Sequence, residues 1–85
     1  MAMYKGYKIK KDKYTLEVEK VEDVGNGLYS IYYVVRENTR EITTGVIFAT
    51  RENYSKILND TLNEIVRSLK RVEEAVRSAF RGIGG

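Results

Sequence analysis

The fold is decided by residues 50–81, which read TRENYSKILNDTLNEIVRSLKRVEEAVRSAFR. Apolar side chains recur in this stretch every three or four positions, which is the period of an amphipathic helix. Thr50 can cap the first free N–H groups of such a helix, and Gly82 can end it. The pattern therefore predicts one long helix. Its apolar stripe comprises Tyr54, Ile57, Leu58, Leu62, Ile65, Leu69, Val72, Val76, Ala79 and Phe80.

Upstream of the helix, apolar and polar side chains alternate with a period of two, which is typical of half-buried strands. Turns are expected at residues 11–13 and 38–40, and the clearest turn is at residues 25–27, because Gly and Asn tolerate the positive φ of tight hairpins. A change of phase at Lys20 predicts a β-bulge. The expected fold is α+β: an antiparallel β-meander of three or four strands followed by one long C-terminal amphipathic helix, in a single domain over residues 1–85.

The last two predicted strands differ in character. Residues 28–35 carry Tyr, Ile and Val on both faces, so we expect a central strand that is covered by the helix on one side and by something else on the other. Residues 42–49 form the last predicted strand. Within it, Gly45 is expected at a place where an aromatic ring or another backbone comes close.

The composition limits the classes of protein to which this chain can belong. It has 85 residues with no Cys and no His, so disulfides and the commonest metal ligands are absent as sources of stability. The usual proton carrier at neutral pH and the most reactive nucleophile are absent too, so we expect a protein that is not an enzyme and uses no cofactor or metal. No apolar run approaches the roughly 20 residues of a membrane span, and a cytoplasmic location is expected.

Charged residues make up 32% of the chain, and the net charge is +3. Charge enrichment together with few thermolabile residues is typical of heat-adapted proteins and predicts a thermophilic source. The basic residues concentrate at the two ends of the chain, since residues 1–13 hold five Lys against one Asp. An anionic partner is therefore expected to meet the ends of the chain first.

The predicted helix is longer than the predicted sheet, at about 45 Å against about 30 Å for the strands. Its apolar stripe should therefore extend past the sheet, and its four-three spacing also fits a seam between two helices. We predict a homodimer in which the long helices pack antiparallel; the alternative is ordinary intrachain core with a frayed end. The predicted dimer interface comprises Leu58, Leu62, Ile65, Ser68, Leu69, Val72, Ala75, Val76, Ala79 and Phe80.

Lysines and tyrosines alternate near the N-terminus, and arginines and lysines recur on the outer face of the predicted helix. Cations neutralise phosphates and aromatic rings stack on bases, which is the combination that single-strand binders use. We therefore predict a small protein that binds DNA or RNA through a basic surface. The alternative is an edge strand whose lysines prevent aggregation, beside an ordinary solvated helix face. The predicted nucleic-acid site comprises Lys5, Tyr7, Lys8, Lys10, Lys11, Lys13, Arg67, Lys70, Arg71 and Arg77.

A second hypothesis is a protein-binding inhibitor or regulatory module. Tyrosine is favoured at protein interfaces because it offers apolar area and a hydroxyl at little entropic cost. The predicted contact surface is a tyrosine-rich sheet face with Tyr29, Tyr32 and Tyr33. An acidic cluster on the second strand is a further candidate surface for a basic partner protein. A third hypothesis is a purely structural role in a viral or cellular assembly.

Overall fold

A computed structural model describes residues 6–84 of the chain, with the side chains of residues 6–80. In that part of the chain, four antiparallel strands form one sheet in the order β1-β2-β3-β4, and a single helix follows. The strands are β1 (Lys8–Lys11), β2 (Tyr14–Gly25), β3 (Leu28–Glu37) and β4 (Arg40–Thr50), and the helix is α1 (Tyr54–Gly84). This confirms the α+β meander with a C-terminal helix that the sequence predicts.

The three predicted turns join the strands where the sequence places them. Asp12, Asn26 and Asn38 each adopt a positive φ, of 56°, 57° and 58°. Short polar side chains tolerate this left-handed conformation because they can bond to nearby backbone groups. The predicted bulge is also present, since the register of β2 against β3 shifts between Val18 and Lys20. Such a shift changes which β2 side chains face the helix.

The sheet has two chemically different faces. Residues that lie opposite each other on adjacent antiparallel strands point to the same side, so the register assigns each side chain to a face. The helix α1 covers the face that carries Leu16, Ile31 and Val35. We refer to the other side, which no element within residues 6–84 covers, as the open face. It carries the cross-strand rows Lys8-Glu17-Val34-Thr44, Lys10-Thr15-Arg36-Glu41, Lys20-Tyr32-Val46 and Glu22-Ser30-Phe48.

The core is one apolar layer between α1 and the sheet. Leu58, Leu62 and Val66 are buried on the helix, with at most 2% of each residue exposed. The predicted stripe contained Ile65 in place of Val66, but Ile65 is only half-buried. The helix therefore meets the sheet along an i, i+4 line, because side chains four apart lie above one another on a helix. The buried sheet residues in this layer are Tyr14, Leu16, Val18, Ile31, Val35 and Ala49.

The helix begins at Tyr54, later than predicted, because Thr50 and Asn53 first close a turn. The Asn53 N–H donates to Thr50 Oγ1 at 3.3 Å, and the Thr50 N–H donates to Asn53 Oδ1 at 2.7 Å. The Ile57 N–H then donates to the Asn53 carbonyl at 3.0 Å. Thr50 thus caps the turn that leads into α1 rather than the helix itself.

The helix extends past the end of the sheet, as expected from its length. It has 31 residues, or about 46 Å at 1.5 Å per residue, and the molecule measures 57 × 22 × 17 Å. Lys70 Nζ pairs with Asp12 Oδ2 at 3.1 Å and Lys13 Nζ pairs with Glu73 Oε1 at 3.6 Å, which marks the end of the sheet at the β1–β2 turn. We refer to residues 72–84, which continue beyond this point, as the overhang.

Gly45 lies opposite Tyr33 in the β3–β4 register, which agrees with the predicted close approach. A Cβ at this position would overlap the phenol, at 2.6 Å from Tyr33 Cζ. Tyr33 packs against the core beneath α1, so its ring has little freedom to move away. The absence of a side chain at residue 45 therefore leaves the space that the Tyr33 ring occupies.

Gly45→Ala should lower the free energy of unfolding by about 1–3 kcal/mol, because the added methyl group overpacks the Tyr33 ring. Urea titration measures the change. In a Tyr33→Leu background the same substitution should cost clearly less, because the obstructing ring is gone. Equal costs in the two backgrounds would show that Tyr33 is not the cause.

Candidate nucleic-acid interface

The edge strand β1 displays two of the predicted phosphate-binding lysines on the open face. Lys8 lies opposite Glu17 and Lys10 lies opposite Thr15, so both side chains point away from α1. Both residues are exposed, and neither has an ion-pair or hydrogen-bond partner among the described side chains. They are therefore available to phosphates. Lys5, another predicted site residue, lies outside the described residues.

Lys11 points to the other side of β1 and meets the helix. Its Nζ donates to Asn63 Oδ1 at 2.8 Å. Together with Arg67 and Lys70, Lys11 lines an open cleft of about 280 Å³ between β1 and α1. We refer to this as the β1–α1 cleft. The fold thus brings three of the predicted cations, from two distant segments of the chain, to one place.

Two cations of the β1–α1 cleft already have carboxylate neighbours. Arg67 Nη1 lies 3.4 Å from Glu64 Oε2, and Lys70 Nζ lies 3.1 Å from Asp12 Oδ2. All four side chains are more than half exposed. Exposed pairs of this kind contribute about 0–1 kcal/mol, so a phosphate can compete for the cations at little cost.

Lys13 is held by two carboxylates at once. Its Nζ lies 3.2 Å from Glu37 Oε2 and 3.6 Å from Glu73 Oε1. The hydrogen bond to Glu37, followed by the negative charges of Glu37 and Glu73, raises the pKa of Lys13 above its ordinary value. The two carboxylates offset the charge of the ammonium, so Lys13 is a weaker candidate phosphate ligand than Lys8 and Lys10.

Arg71 and Arg77 do not join the β1–α1 cleft. Successive residues are about 100° apart around a helix, so Arg71 is turned from Lys70 toward the outer side of α1. Arg77 belongs to the overhang, where it lines a groove with Val76 and Phe80. The predicted basic surface is therefore divided among the open face, the cleft and the outer helix, and is not continuous.

Tyr7 is engaged in packing. Its hydroxyl oxygen lies 3.0 Å from Ser55 Oγ, and its ring meets Tyr54 edge-on, with 5.4 Å between centroids and an interplanar angle of 72°. These contacts fix the chain before β1 onto the first turn of α1. We therefore assign Tyr7 a structural role in place of the base stacking that the sequence suggested.

The predicted tyrosine-rich face does not form as one surface. Tyr29 and Tyr33 are half-buried against the core, on the side that α1 covers. Tyr32 points to the open face, where it is 38% exposed and Lys20 Nζ lies 5.5 Å from its ring centroid. Successive residues of a strand point to opposite faces, so Tyr32 cannot share a surface with Tyr33.

The open face also displays two large side chains that sequence reasoning did not assign to a site. Phe48 is 58% exposed and Val46 is 45% exposed. Val46 lies directly opposite Tyr32, and Phe48 lies in the next row. We refer to Tyr32, Val46 and Phe48 as the apolar patch. Strand alternation places Val46 and Phe48 on the same side of β4, but that pattern does not reveal which side of the strand the helix covers.

The predicted dimer residues are divided between the core and the overhang. Leu58 and Leu62 are buried inside the chain, so a second copy cannot reach them while the core is formed. Ile65 and Leu69 are half-buried beside them. The exposed members are Ser68, Val72, Ala75, Val76, Ala79 and Phe80.

Within the described residues, no group of three or more Asp, Glu, His or Cys side chains is placed to hold a metal ion. None of the described helical structure has the length and apolar character needed to cross a membrane.

A scan against protein-family models, a search of curated proteins and a search of solved structures each found no match to this chain. Information about the function of this protein therefore comes from the geometry of the open face and the β1–α1 cleft.

Tyr7→Phe and Ser55→Ala should each lower the free energy of unfolding by about 0.5–1.5 kcal/mol, because each removes one side of the same partly buried hydroxyl pair. The double substitution should cost little more than either single change, and a double-mutant cycle by urea unfolding measures this. Oligonucleotide affinity should not change in either variant. A large loss of oligonucleotide affinity in Tyr7→Phe at unchanged stability would show that Tyr7 belongs to the nucleic-acid binding site.

Proposed function

We propose that the protein binds single-stranded nucleic acid across the open face, as a binding protein without catalytic activity. One observation carries the proposal: two exposed aromatic side chains, Tyr32 and Phe48, lie on the same face as Lys8 and Lys10. Cations that follow the phosphate backbone and rings that stack on bases are the two components of sequence-tolerant single-strand binding. Both components are exposed before any ligand arrives.

The spacing of these groups suits a short stretch of single strand. The strands β1 and β4 are three strand spacings apart, which is about 14 Å. Phe48 lies two rows beyond Lys8 along the strands, so the two residues are roughly 20 Å apart, and Tyr32 lies between them. A strand anchored by its phosphates at Lys8 and Lys10 can therefore pass over Tyr32 and then Phe48.

The carboxylates along this path are partly neutralised by their neighbours. Arg36 Nη1 lies 2.7 Å from Glu17 Oε1, and Arg36 Nη2 lies 3.9 Å from Glu19 Oε2. Lys20 Nζ lies 3.8 Å from Glu22 Oε2. These ion pairs reduce the negative potential that a phosphate backbone would otherwise meet over β2.

The β1–α1 cleft extends the proposed site around the edge of the sheet. Lys11 follows Lys10 in β1 but points to the other face, so one edge strand presents cations in both directions. Arg67 and Lys70 add their charge on the helix side. A longer strand can therefore continue from the open face over the β1 edge and into the cleft.

Phe48→Ala should weaken the binding of a fluorescent single-stranded oligonucleotide by about 5- to 150-fold, because stacking on one ring contributes about 1–3 kcal/mol. The double variant Lys8→Glu with Lys10→Glu should also bind more weakly. Its slope of log affinity against log salt should be shallower by roughly 1.4, at about 0.7 for each lost phosphate contact. Fluorescence anisotropy over a range of salt concentrations measures both effects.

The matched control for the lysine variant is Lys56→Glu with Arg71→Glu, which makes the same change in net charge on the outer side of α1. It should leave both the affinity and the salt slope nearly unchanged. An equal loss in the control would show that binding follows net charge rather than the open face. Absence of binding by the unmodified protein at low salt would contradict the proposal outright.

A protein partner on the apolar patch is the second candidate function. An apolar centre with a rim of charged side chains is the usual anatomy of a protein interface. Val46 favours this candidate, because an exposed aliphatic side chain has no part in base stacking. The salt dependence of the binding affinity distinguishes the two candidate functions. The affinity of a partner bound through the apolar patch should change little as the salt concentration rises, whereas binding driven by phosphates must weaken steeply.

We also propose that the protein acts as a homodimer in the cytoplasm, as its sequence suggests. The exposed apolar side chains of the overhang support the dimer. The overhang and the open face occupy different parts of the molecule, so dimerisation through the overhang leaves the proposed binding face free.

A further inference from the structure

The overhang continues the apolar stripe of α1 beyond the point where the sheet covers it. Val72, Val76 and Phe80 lie four residues apart on the side of the helix that faces the core further back. They are 60%, 48% and 69% exposed. With Glu73 and Arg77 they line an open groove of about 420 Å³. This groove is apolar along its floor and charged along one side.

A helical segment of this length gains little from its own chain. The packed part of α1 supplies the nucleus of the helix, but beyond the sheet each added residue gains only one backbone hydrogen bond, which contributes little in water. Large exposed apolar side chains in one contiguous patch mark a surface that binds a partner. A second helix laid along the groove would cover all three apolar side chains at once.

The charges beside the groove favour a second copy of this chain in antiparallel orientation. Glu73 and Arg77 flank one side of the stripe, whereas the small residues Ala75 and Ala79 flank the other and allow close approach. In an antiparallel pair with its two-fold axis at Val76, Glu73 of one copy lies about 3 Å along the axis from Arg77 of the other. A parallel pair would instead place Glu73 and Arg77 of one copy beside the small residues Ala75 and Ala79 of the other, so neither charge would gain a partner.

We propose that the overhang is the docking site for a second copy of this chain, and that Val72, Val76 and Phe80 of the two copies pack antiparallel about an axis at Val76. Glu73, which also lies 3.6 Å from Lys13 Nζ of its own chain, pairs across this axis with Arg77 of the second copy. The contact uses neither the buried Leu58 and Leu62 nor the open face. The proposed dimer contact therefore does not depend on whether the open face binds nucleic acid.

The chain has no Cys, so single-cysteine variants of the full chain report the helix pairing directly. Val76→Cys should form a disulfide-linked dimer fastest under mild oxidation, because the two copies of residue 76 meet at the axis. Val72→Cys and Phe80→Cys should link at least about tenfold more slowly, because their two copies are about 12 Å apart along the axis. Ser78→Cys, on the outer side of α1, is the control and should link no faster than random collision.

Light scattering gives a second readout. The unmodified protein should have about twice its monomer mass of 9.8 kDa at high micromolar concentration. Val76→Asp should raise the dissociation constant of the dimer at least about tenfold, because it buries an unpaired carboxylate. Its near-UV circular dichroism should not change, since residue 76 lies outside the core. A monomeric mass for the unmodified protein would overturn the dimer, and equal linking rates at residues 72, 76 and 80 would overturn the antiparallel arrangement.

Discussion

The whole structure depends on one apolar layer, in which α1 packs against a single face of the sheet. Leu58, Leu62 and Val66 supply the helix side of this layer, and no disulfide assists it. Apolar burial contributes about 25 cal/mol per Å², and a chain of 85 residues has few other means of offsetting its conformational entropy. One helix covers one face over the length of the strands, so the described part of the chain leaves both the open face and the overhang uncovered.

The open face changes character along its length, and this change determines where a partner can bind. Near the β1–β2 turn, the ion pair of Arg36 with Glu17 lies beside Val34, which is fully buried although no element within residues 6–84 covers that face. The stems of long charged side chains cover apolar surface in this way while their ends stay in water. Toward the other end the rows carry Val46 and Phe48, which have no such cover. The proposed binding surface lies where the charged cover ends.

Features that depend on a few neighbouring residues could be predicted from the sequence, and features that depend on register could not. Asn26 was assigned correctly because a tight turn demands a particular residue locally. The glycine at position 45 indicated a close approach, but its partner Tyr33 is set by the β3–β4 register. Strand alternation alone places Tyr32 and Tyr33 on opposite faces, but no local pattern specifies which of the two faces the helix covers. The lysines of β1 are ambiguous for another reason, since protection of a sheet edge and phosphate binding select the same residues.

The proposed dimer imposes a constraint on how the open face can act. The apolar stripe of the overhang points to the side of α1 on which its own sheet lies. In the proposed antiparallel dimer the second copy is therefore turned around, so that its own stripe points back toward the first copy. Its sheet then lies on the opposite side of the helix pair, and the two open faces point in opposite directions. A short oligonucleotide can therefore contact only one of them, because linked sites increase affinity only when one ligand can span both. In the proposed dimer, the pairing of the helices would stabilise the overhang, and each chain would recognise its own ligand.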